Sequence, residues 1–588
     1  MKKNTEKNKQ LNIRLLMKIV RASHLPWFWI AVTFTVNMVY NRLLLTLPVS
    51  TGRLLAGDLS NEALYETLAY YGLYALVVVV QAALVAYTDA VSIRNSRYGL
   101  FGKMLKIRED YYDRVESSDM ISALTVDLYF ALPRFINMIV AVIPDIYYLV
   151  RASVTVTSYD VSLLLTMLAF LPLKYLYLLV IGRKLFSAQS DVMQRIGLLT
   201  GTLGERIGNV QLVKAFNREA EELEAGKQDN RALYKANVRL AAIGGISNAL
   251  DSTIDVLQQF ACMVVAVLLM RQGRITMAEW VTFFLFFTNI SSKITALVSD
   301  WMSAKVVTGS LERTGALYEA PEEDPNREGI RAEDADDLSI CFDNVRFSYA
   351  ASAEETDKPA LDDVSFSIPE GSKTAIVGFC GSGKSTALSL IERFYTPASG
   401  RVLLSGREVS SYQLENYRDL IAYVPQNNQV FSSTLREALL YGNREAIQDE
   451  VLLSTAEKTG FKSYIDLQEN GLDTYVMSPA DSMSGGQLQK LIITREILKK
   501  SRIVLFDEPT SALDKTATRE VKDMLMHSFA DKTVVVVTHD LDLIDEMDRI
   551  VLLADGHVVA TGTYDELLLD CPEFRDLAMS RKTEEVCA

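Results

Sequence analysis

The sequence predicts a multidomain chain, with an all-α six-helix transmembrane domain followed by an α/β P-loop domain. Three observations carry that expectation. Residues 67–88, TLAYYGLYALVVVVQAALVAYT, carry no formal charge, and residues 161–181 carry only Lys174; both runs are long and apolar enough to cross a bilayer. The apolar strand pattern Thr374–Val377 runs directly into Gly378-Phe379-Cys380-Gly381-Ser382-Gly383-Lys384-Ser385-Thr386 and then an apolar helix, the setting a phosphate-binding loop requires. Between the halves, residues 319–338 hold nine acids, two Arg and two Pro, the composition of an exposed connector.

These features divide the 588 residues into a basic cytoplasmic N-terminal tail at 1–21 and a transmembrane domain at 22–318. An acidic linker at 319–338 and a nucleotide-binding domain at 339–588 complete the chain. A chain this long exceeds a single core. Hydrophobic residues make up 49% of it and mean hydropathy is +0.11. The net charge of -14 excludes a general nucleic-acid binder, whose surface would be basic. Five cysteines lie without metal or redox spacing, as in a reduced compartment. The first apolar run follows a basic segment but lacks an Ala-x-Ala site, so it reads as a retained helix rather than a signal peptide.

Six spans are expected, near 25–50, 67–88, 131–152, 161–181, 241–270 and 277–300. One long apolar helix can be buried in a soluble core, but six would need more covering surface than this half supplies. The seven Lys or Arg in residues 1–21, and the cluster Arg94, Arg97, Lys103, Lys106 and Arg108, place those segments in the cytoplasm. Outer connections are expected near 51–62, 152–159 and 271–276. The inner ones, 93–128 and 184–240, are long and helical in pattern, so helices should extend well past the membrane. Ionisable residues in or near the spans are Arg42, Asp145, Arg151, Lys174, Asp255 and Lys293. Lys293 follows the uncharged run 281–292 and is the strongest candidate to face a pathway. The others have the plainer explanation of snorkelling or burial, with Asp255 on a cytoplasmic extension of span five.

In the second half, Gly378, Gly381 and Gly383 let successive amides close around phosphate, and the following helix adds its N-terminal dipole. Lys384 would reach the terminal phosphates of a nucleoside triphosphate, and Ser385 would hold Mg²⁺, with Ser382 and Thr386 completing the loop. A second apolar strand, Ile503–Phe506, ends in Asp507-Glu508. Asp507 is placed to organise Mg²⁺ and Glu508 to orient or deprotonate water. A helix cap would explain one acid there but not two adjacent ones beside an intact P-loop. A third strand, Val534–Val537, delivers His539, one of four histidines, to the same end.

Met483-Ser484-Gly485-Gly486-Gln487 resembles the LSGGQ signature of ATP-binding-cassette proteins, with Met for Leu. Across nearly all 588 residues the chain is similar to exporter-type half-transporters, six helices fused to one ABC ATPase domain. The resemblance implies ATP and Mg²⁺ as cofactors. It also implies Tyr349 stacking on adenine, Gln426 touching Mg²⁺ or attacking water, and Asp514 in a loop that communicates between cassettes. Ser484 through Gln487 would bind ATP held by a second cassette's P-loop, so a second ABC half-transporter subunit is implied. Arg495 reads as a structural partner. Phe101–Val126 and Asn209–Phe216 are similar to the two intracellular coupling regions.

Three departures stand out. Met483 is a volume-conserving change. Ser478 stands where the family has glutamate, which favours two nonidentical subunits over a homodimer. Leu488-Gln489-Lys490 lacks the family's arginines. The expected function is an ATPase that moves an unidentified substrate outward by alternating access, in a bacterial plasma membrane with its ATPase domain cytoplasmic. ATP-driven import of a chelated metal or small molecule, and a regulatory membrane ATPase, are the competing readings.

Overall fold

The computed structural model describes residue 21 and residues 23–115, 117–323, 329–332, 337–349, 359–426, 430–477, 482–510, 513 and 515–587. Two compact units form. One comprises residues up to Gly102 together with Met120–Glu319; the other comprises Lys103–Asp119 and Ala320 onward.

The first unit is helical. Its long elements are α1 (Trp27–Leu55), α2 (Asn61–Met104), α3 (Leu128–Tyr159), α4 (Val161–Ala169), α5 (Leu171–Gly208), α6 (Glu219–Arg271) and α7 (Met277–Glu319). Among the described residues, six helical segments are long and apolar enough to cross a membrane, α4 and α5 together making the fourth. Helices α2, α5 and α6 run far beyond the roughly 20 residues that a bilayer needs, as the helical pattern of 93–128 and 184–240 implies.

One outer connection differs from the expectation. Residues 152–159 are helical, and α3 continues to Tyr159. Asp160 alone makes the turn: its extended backbone ends α3, and its carboxylate accepts the Ser162 amide at 2.8 Å to cap α4. The same carboxylate pairs with Arg274 at 2.7 Å. One residue suffices because the cap satisfies an amide that a longer loop would otherwise serve.

Lys293 is half-buried against α1 and α3. Its Nζ lies 2.6 Å from Asp145 Oδ1 and 5.2 Å from the centre of the Tyr40 ring, and Asn41 Nδ2 donates to the same carboxylate oxygen at 3.3 Å. Asp255 does not lie on a cytoplasmic extension. It pairs with Lys174, at 2.5 Å, inside the fourth span.

The second unit holds two large sheets and a two-stranded ribbon of β7 (Ser433–Thr434) and β8 (Tyr475–Val476). A four-stranded antiparallel sheet has the order β2-β1-β4-β5, formed by Leu361–Ile368, Ile340–Phe347, Ser399–Leu404 and Arg407–Glu408. The larger sheet has the order β12-β11-β3-β10-β9-β6. Its strands are β3 (Lys373–Val377), β6 (Ile421–Val424), β9 (Ile503–Asp507), β10 (Thr533–Val537), β11 (Arg549–Ala554) and β12 (His557–Gly562). All its pairings are parallel except β11 with β12. Strands β9 and β10 are buried at every position, which is why they read as continuous Val, Ile and Leu runs rather than alternating ones. Helix α8 (Lys384–Ile391) follows β3, and α9 (Gly485–Leu498) precedes β9.

Lys103–Asp119 joins this unit through the backbone. Arg108 N–H donates to Pro321 O at 3.2 Å and Glu323 N–H to Lys106 O at 2.8 Å. Side chains extend the joint. Tyr395 Oη donates to Asp113 Oδ2 at 2.9 Å, and Arg418 grips both oxygens of Glu323 at 2.9 and 2.7 Å.

Beyond the end of α8, Glu392 is buried. Its carboxyl is pushed up to about 7 from an ordinary 4.5, first by loss of solvent; Lys499 and Arg418 oppose the rise, while Glu496 and Glu323 add to it. A raised acid keeps its proton in the folded protein while the unfolded chain has lost it. Stability is therefore full below the ordinary value and falls as pH rises through about 7. The change over that window is on the order of 3 kcal/mol. Glu392→Gln should remove this slope. The cassette transition of the full-length variant in micelles should match wild type at pH 5 and lie several degrees higher at pH 8. Identical pH profiles for the two proteins would refute the assignment.

Candidate nucleotide site

The parallel sheet gathers the candidate residues at one edge. Val537 pairs with both Asp507 and Ile376, and Val424 pairs with Phe506. The carboxyl ends of β3, β6, β9 and β10 thus lie level, and the loops leaving them carry the P-loop, Gln426, Glu508 and His539. Ligands collect at this edge in open α/β sheets because the following helices point their N-termini there.

The P-loop is built for close backbone approach. A Cβ on Gly378 would meet Leu553 O at 2.1 Å, and one on Gly383, at φ +99°, would meet Ala360 O at 2.5 Å. Lys384 Nζ donates to the loop's own carbonyls, Gly378 O at 3.1 Å and Phe379 O at 2.9 Å. Ser382 is buried, and its Oγ has no hydrogen-bond partner among the described residues. Orphaned polar atoms in a native interior call for an occupant, and one inside a loop of amides at a helix N-terminus suits a phosphate oxygen. Ser385 Oγ donates to Asp507 Oδ1 at 3.1 Å. A hydroxyl and a carboxylate held together are the oxygen donors that Mg²⁺ takes. The residues present therefore fit both groups. Burial pushes the Asp507 carboxyl up, the neighbouring Glu508 charge adds to this, and the Ser385 hydrogen bond and Lys384 counter it.

Glu508 sits where β9 turns. Its φ is +48° and its N–H donates to Val537 O at 2.8 Å, so the strand pairing holds a side-chain-bearing residue in the left-handed region. Gln426 Nε2 donates to one carboxylate oxygen at 2.8 Å, and His539 Nε2 lies 3.1 Å from the other. A carboxylate fixed from both sides beside a P-loop can aim or accept a proton from a water molecule.

Tyr349 lies along the same loop. Its hydroxyl and Thr386 Oγ1 share a hydrogen bond of 3.2 Å, and its ring meets Phe347 and Tyr395 edge-on at 5.0 and 5.2 Å between centroids. The residue is 41% exposed. Tyr395 escaped the sequence reading. The aromatic pair Phe394-Tyr395 just past the P-loop helix is the signal that could have found it.

Ser484, Gly485, Gly486 and Gln487 open α9 rather than joining the P-loop cluster. Ser484 Oγ accepts from Gln487 N–H at 3.3 Å and Gln487 Oε1 accepts from Ser484 N–H at 2.9 Å, a reciprocal cap. Met483 is buried in the cassette core, so its apolar volume is what the position uses. Arg495 pairs with its neighbour Glu496 at 2.9 Å, both largely buried. Asp514, with Ser511 and Ala512, and residues 478–481 of the altered 474–482 loop lie outside the described residues.

Comparison with known proteins agrees with this arrangement. Residues 30–294 match the ABC transporter transmembrane region model and residues 361–511 match the ABC transporter model. The chain is an ABC half-transporter. Its membrane and ATPase domains are fused, and its fold is exporter-like. The half-transporter is 25% identical over 571 residues to a multidrug resistance ABC transporter ATP-binding and permease protein of Lactococcus lactis subsp. cremoris, covering 95% of this chain and 94% of that one. It is 29% identical over 489 residues to an ATP-dependent lipid A-core flippase of Albidiferax ferrireducens, covering 81% of each. A solved bacterial Atm1-family ABC exporter with ATP bound shares the fold, with a TM-score of 0.80 at 21% identity over 97% of this chain and 99% of that chain. The half-transporter is thus a multi-pass membrane protein whose ATPase domain couples ATP hydrolysis to movement of a substrate, and it works with a partner subunit.

Proposed function

We propose that the half-transporter exports an amphipathic substrate across a bacterial plasma membrane. Glu508 acts on the attacking water, Gln426 and His539 position it, and Lys384, Ser385 and Asp507 hold the phosphates and Mg²⁺. The observation that carries the hydrolytic part is the Gln426–Glu508–His539 bridge at 2.8 and 3.1 Å, set beside a P-loop whose Ser382 Oγ has no partner among the described residues. ATP bound between one subunit's P-loop and the other's signature segment, which in this chain is Ser484–Gln487, would draw two cassettes together. Hydrolysis would release them, shifting the helices between two populations. Tyr349 offers its ring to adenine, and Asp514 belongs to the inter-cassette contact. The substitution at Ser478 favours a nonidentical partner. The multidrug and lipid A-core names of the relatives support an amphipathic cargo.

The test is reconstitution with cassettes facing outward and a panel of fluorescent amphiphiles outside. Export predicts ATP-dependent accumulation in the vesicle lumen. ATP-dependent loss from preloaded vesicles would overturn the outward direction. Hydrolysis without movement of any probe would favour a regulatory ATPase. Co-purification of a second, different half-transporter would support the heterodimer, and a functional dimer of this chain alone would refute it.

A further inference from the structure

The fourth span is broken in mid-membrane, and the break carries its own cluster of polar groups. Helix α4 ends at Ala169, Phe170 intervenes, and α5 restarts at Leu171 with Pro172 in its first turn. Proline has no N–H to give, and its ring disfavours a continuous helix through this point. Gln258 Nε2, from α6, donates at 2.9 Å to Met167 O, a carbonyl near the break. That orientation leaves Gln258 Oε1 buried with no partner among the described residues, in a residue only 3% exposed.

One turn from Gln258 on α6 stands Asp255. Lys174, in the first turn of α5, donates to Asp255 Oδ1 at 2.5 Å and to Ser291 Oγ of α7 at 3.1 Å, and Ser291 Oγ donates to the same carboxylate at 3.0 Å. Counted from the outer helix ends, Lys174, Asp255, Gln258 and Ser291 lie about 13–16 residues deep, roughly 20–24 Å at the helical rise. That depth is within the inner half of a hydrocarbon layer of about 30 Å. Yet the Asp255 side chain is 31% exposed, while Lys174 is 11% exposed. A carboxylate open to lipid at that depth is costly, so its exposed side looks onto a polar passage or a second chain. The other intramembrane pair, Lys293 with Asp145, is more closed, at 16% and 6%. It stands on a different face of α7, because residues two apart on a helix point nearly oppositely.

We propose that Lys174, Asp255, Gln258 and Ser291 form the head-group site of the transport pathway, fitted to a small zwitterion. The inference rests on the transporter reading above and names the substrate class of that pathway. Lys174 at the start of α5 takes the anionic group, favoured also by the N-terminal dipole of that helix. Asp255 and the unpartnered amide oxygen of Gln258 take the ammonium. The Lys174–Asp255 pair closes on itself when the site is empty, so neither charge is left alone in the membrane. A ligand with both charges separates the pair while satisfying each member, whereas an ion of one sign leaves the other member unpaired.

The experiment measures binding to the full-length dimer in maltoside micelles, by competition against fluorescent lysophosphatidylethanolamine. Competitors are lysophosphatidylethanolamine, lysophosphatidylglycerol and an alkylamine of equal chain length, plus free phosphoethanolamine. Wild type should prefer the zwitterionic lipid over both singly charged ones by about tenfold, equivalent to one decade in Kd. Asp255→Asn should switch the preference to the anion, and Lys174→Gln to the cation. Competition by free phosphoethanolamine assigns a soluble zwitterion; competition only by the lipid assigns a membrane source. The double variant Lys174→Met/Asp255→Leu leaves no unpaired charge, so it serves if the single variants misfold, and a monodisperse elution profile with a wild-type thermal transition reports its folding. It should bind all three lipids alike. No head-group preference in wild type, or a zwitterion preference that survives in the double variant, overturns the proposal. Wild type that moves amphiphiles in vesicles without head-group preference overturns only this inference. Wild type that prefers the zwitterion but moves nothing overturns only export.

Discussion

Glu508→Gln is expected to bind ATP as wild type does and to hydrolyse it at roughly a hundredth of the rate or less, the range lost with a general base. The variant keeps the shape of the side chain, and glutamine meets no greater strain than glutamate at φ +48°. What it loses is charge and one acceptor. The oxygen that receives Gln426 Nε2 at 2.8 Å, or the one 3.1 Å from His539, becomes an NH₂ group, so one neighbour must turn away or lose its bond. No phosphate-holding residue is altered, because Lys384 and Ser385 belong to α8 and Asp507 keeps its Ser385 contact. ATP-dependent thermal stabilisation should therefore persist while phosphate release collapses. Turnover within a few-fold of wild type would remove Glu508 from the chemistry.

The largest effect on stability is expected in the membrane. Lys293→Met strips Asp145 of its ammonium and leaves Asn41 as a donor at 3.3 Å, for a carboxylate only 6% exposed. Removing one partner of a buried pair costs about 3–5 kcal/mol, a large share of what holds a domain folded. Monodisperse full-length protein after detergent extraction should fall sharply. Lys293→Met combined with Asp145→Leu removes both charges and should restore it, since an apolar replacement of a buried pair is often neutral or favourable. Equal yields from wild type and Lys293→Met would show that the pair carries no structural load.

The sequence made the ATP-site residues legible where chemistry leaves few choices of residue type. Gly378 and Gly383 are glycines because carbonyl oxygens stand where a Cβ would be. Asp507, Glu508 and His539 could be located because each ends a strand too apolar to be anything but buried, and Gln426 because its loop resembles a family motif. The contact between Gln426 and Glu508 was not readable from spacing: their strands β6 and β9 lie 82 residues apart at this point. The membrane half hid more. Which side of a helix faces a neighbour depends on packing, so Lys293 stood out by its position in an apolar run while its partner, 148 residues earlier, did not. Asp255 was placed on the cytoplasmic extension of span five for a related reason, since the length of α6 beyond the bilayer conceals where the bilayer begins. Pro172 is the signal that could have revealed the break in the fourth span, and only in company with Gln258 does it describe a site.

The joint at residues 103–119 imposes an order on synthesis. These residues leave the ribosome long before Glu323, Tyr395 and Arg418, their partners or supports in the second unit. At roughly 5–20 residues per second, the loop waits for tens of seconds with Asp113 and the Lys106 and Arg108 backbone groups unmet. The cassette therefore does not mature as a contiguous stretch of newly made chain. It is finished by a piece threaded out of the membrane earlier, and a polypeptide starting at 339 would be born without its own missing part.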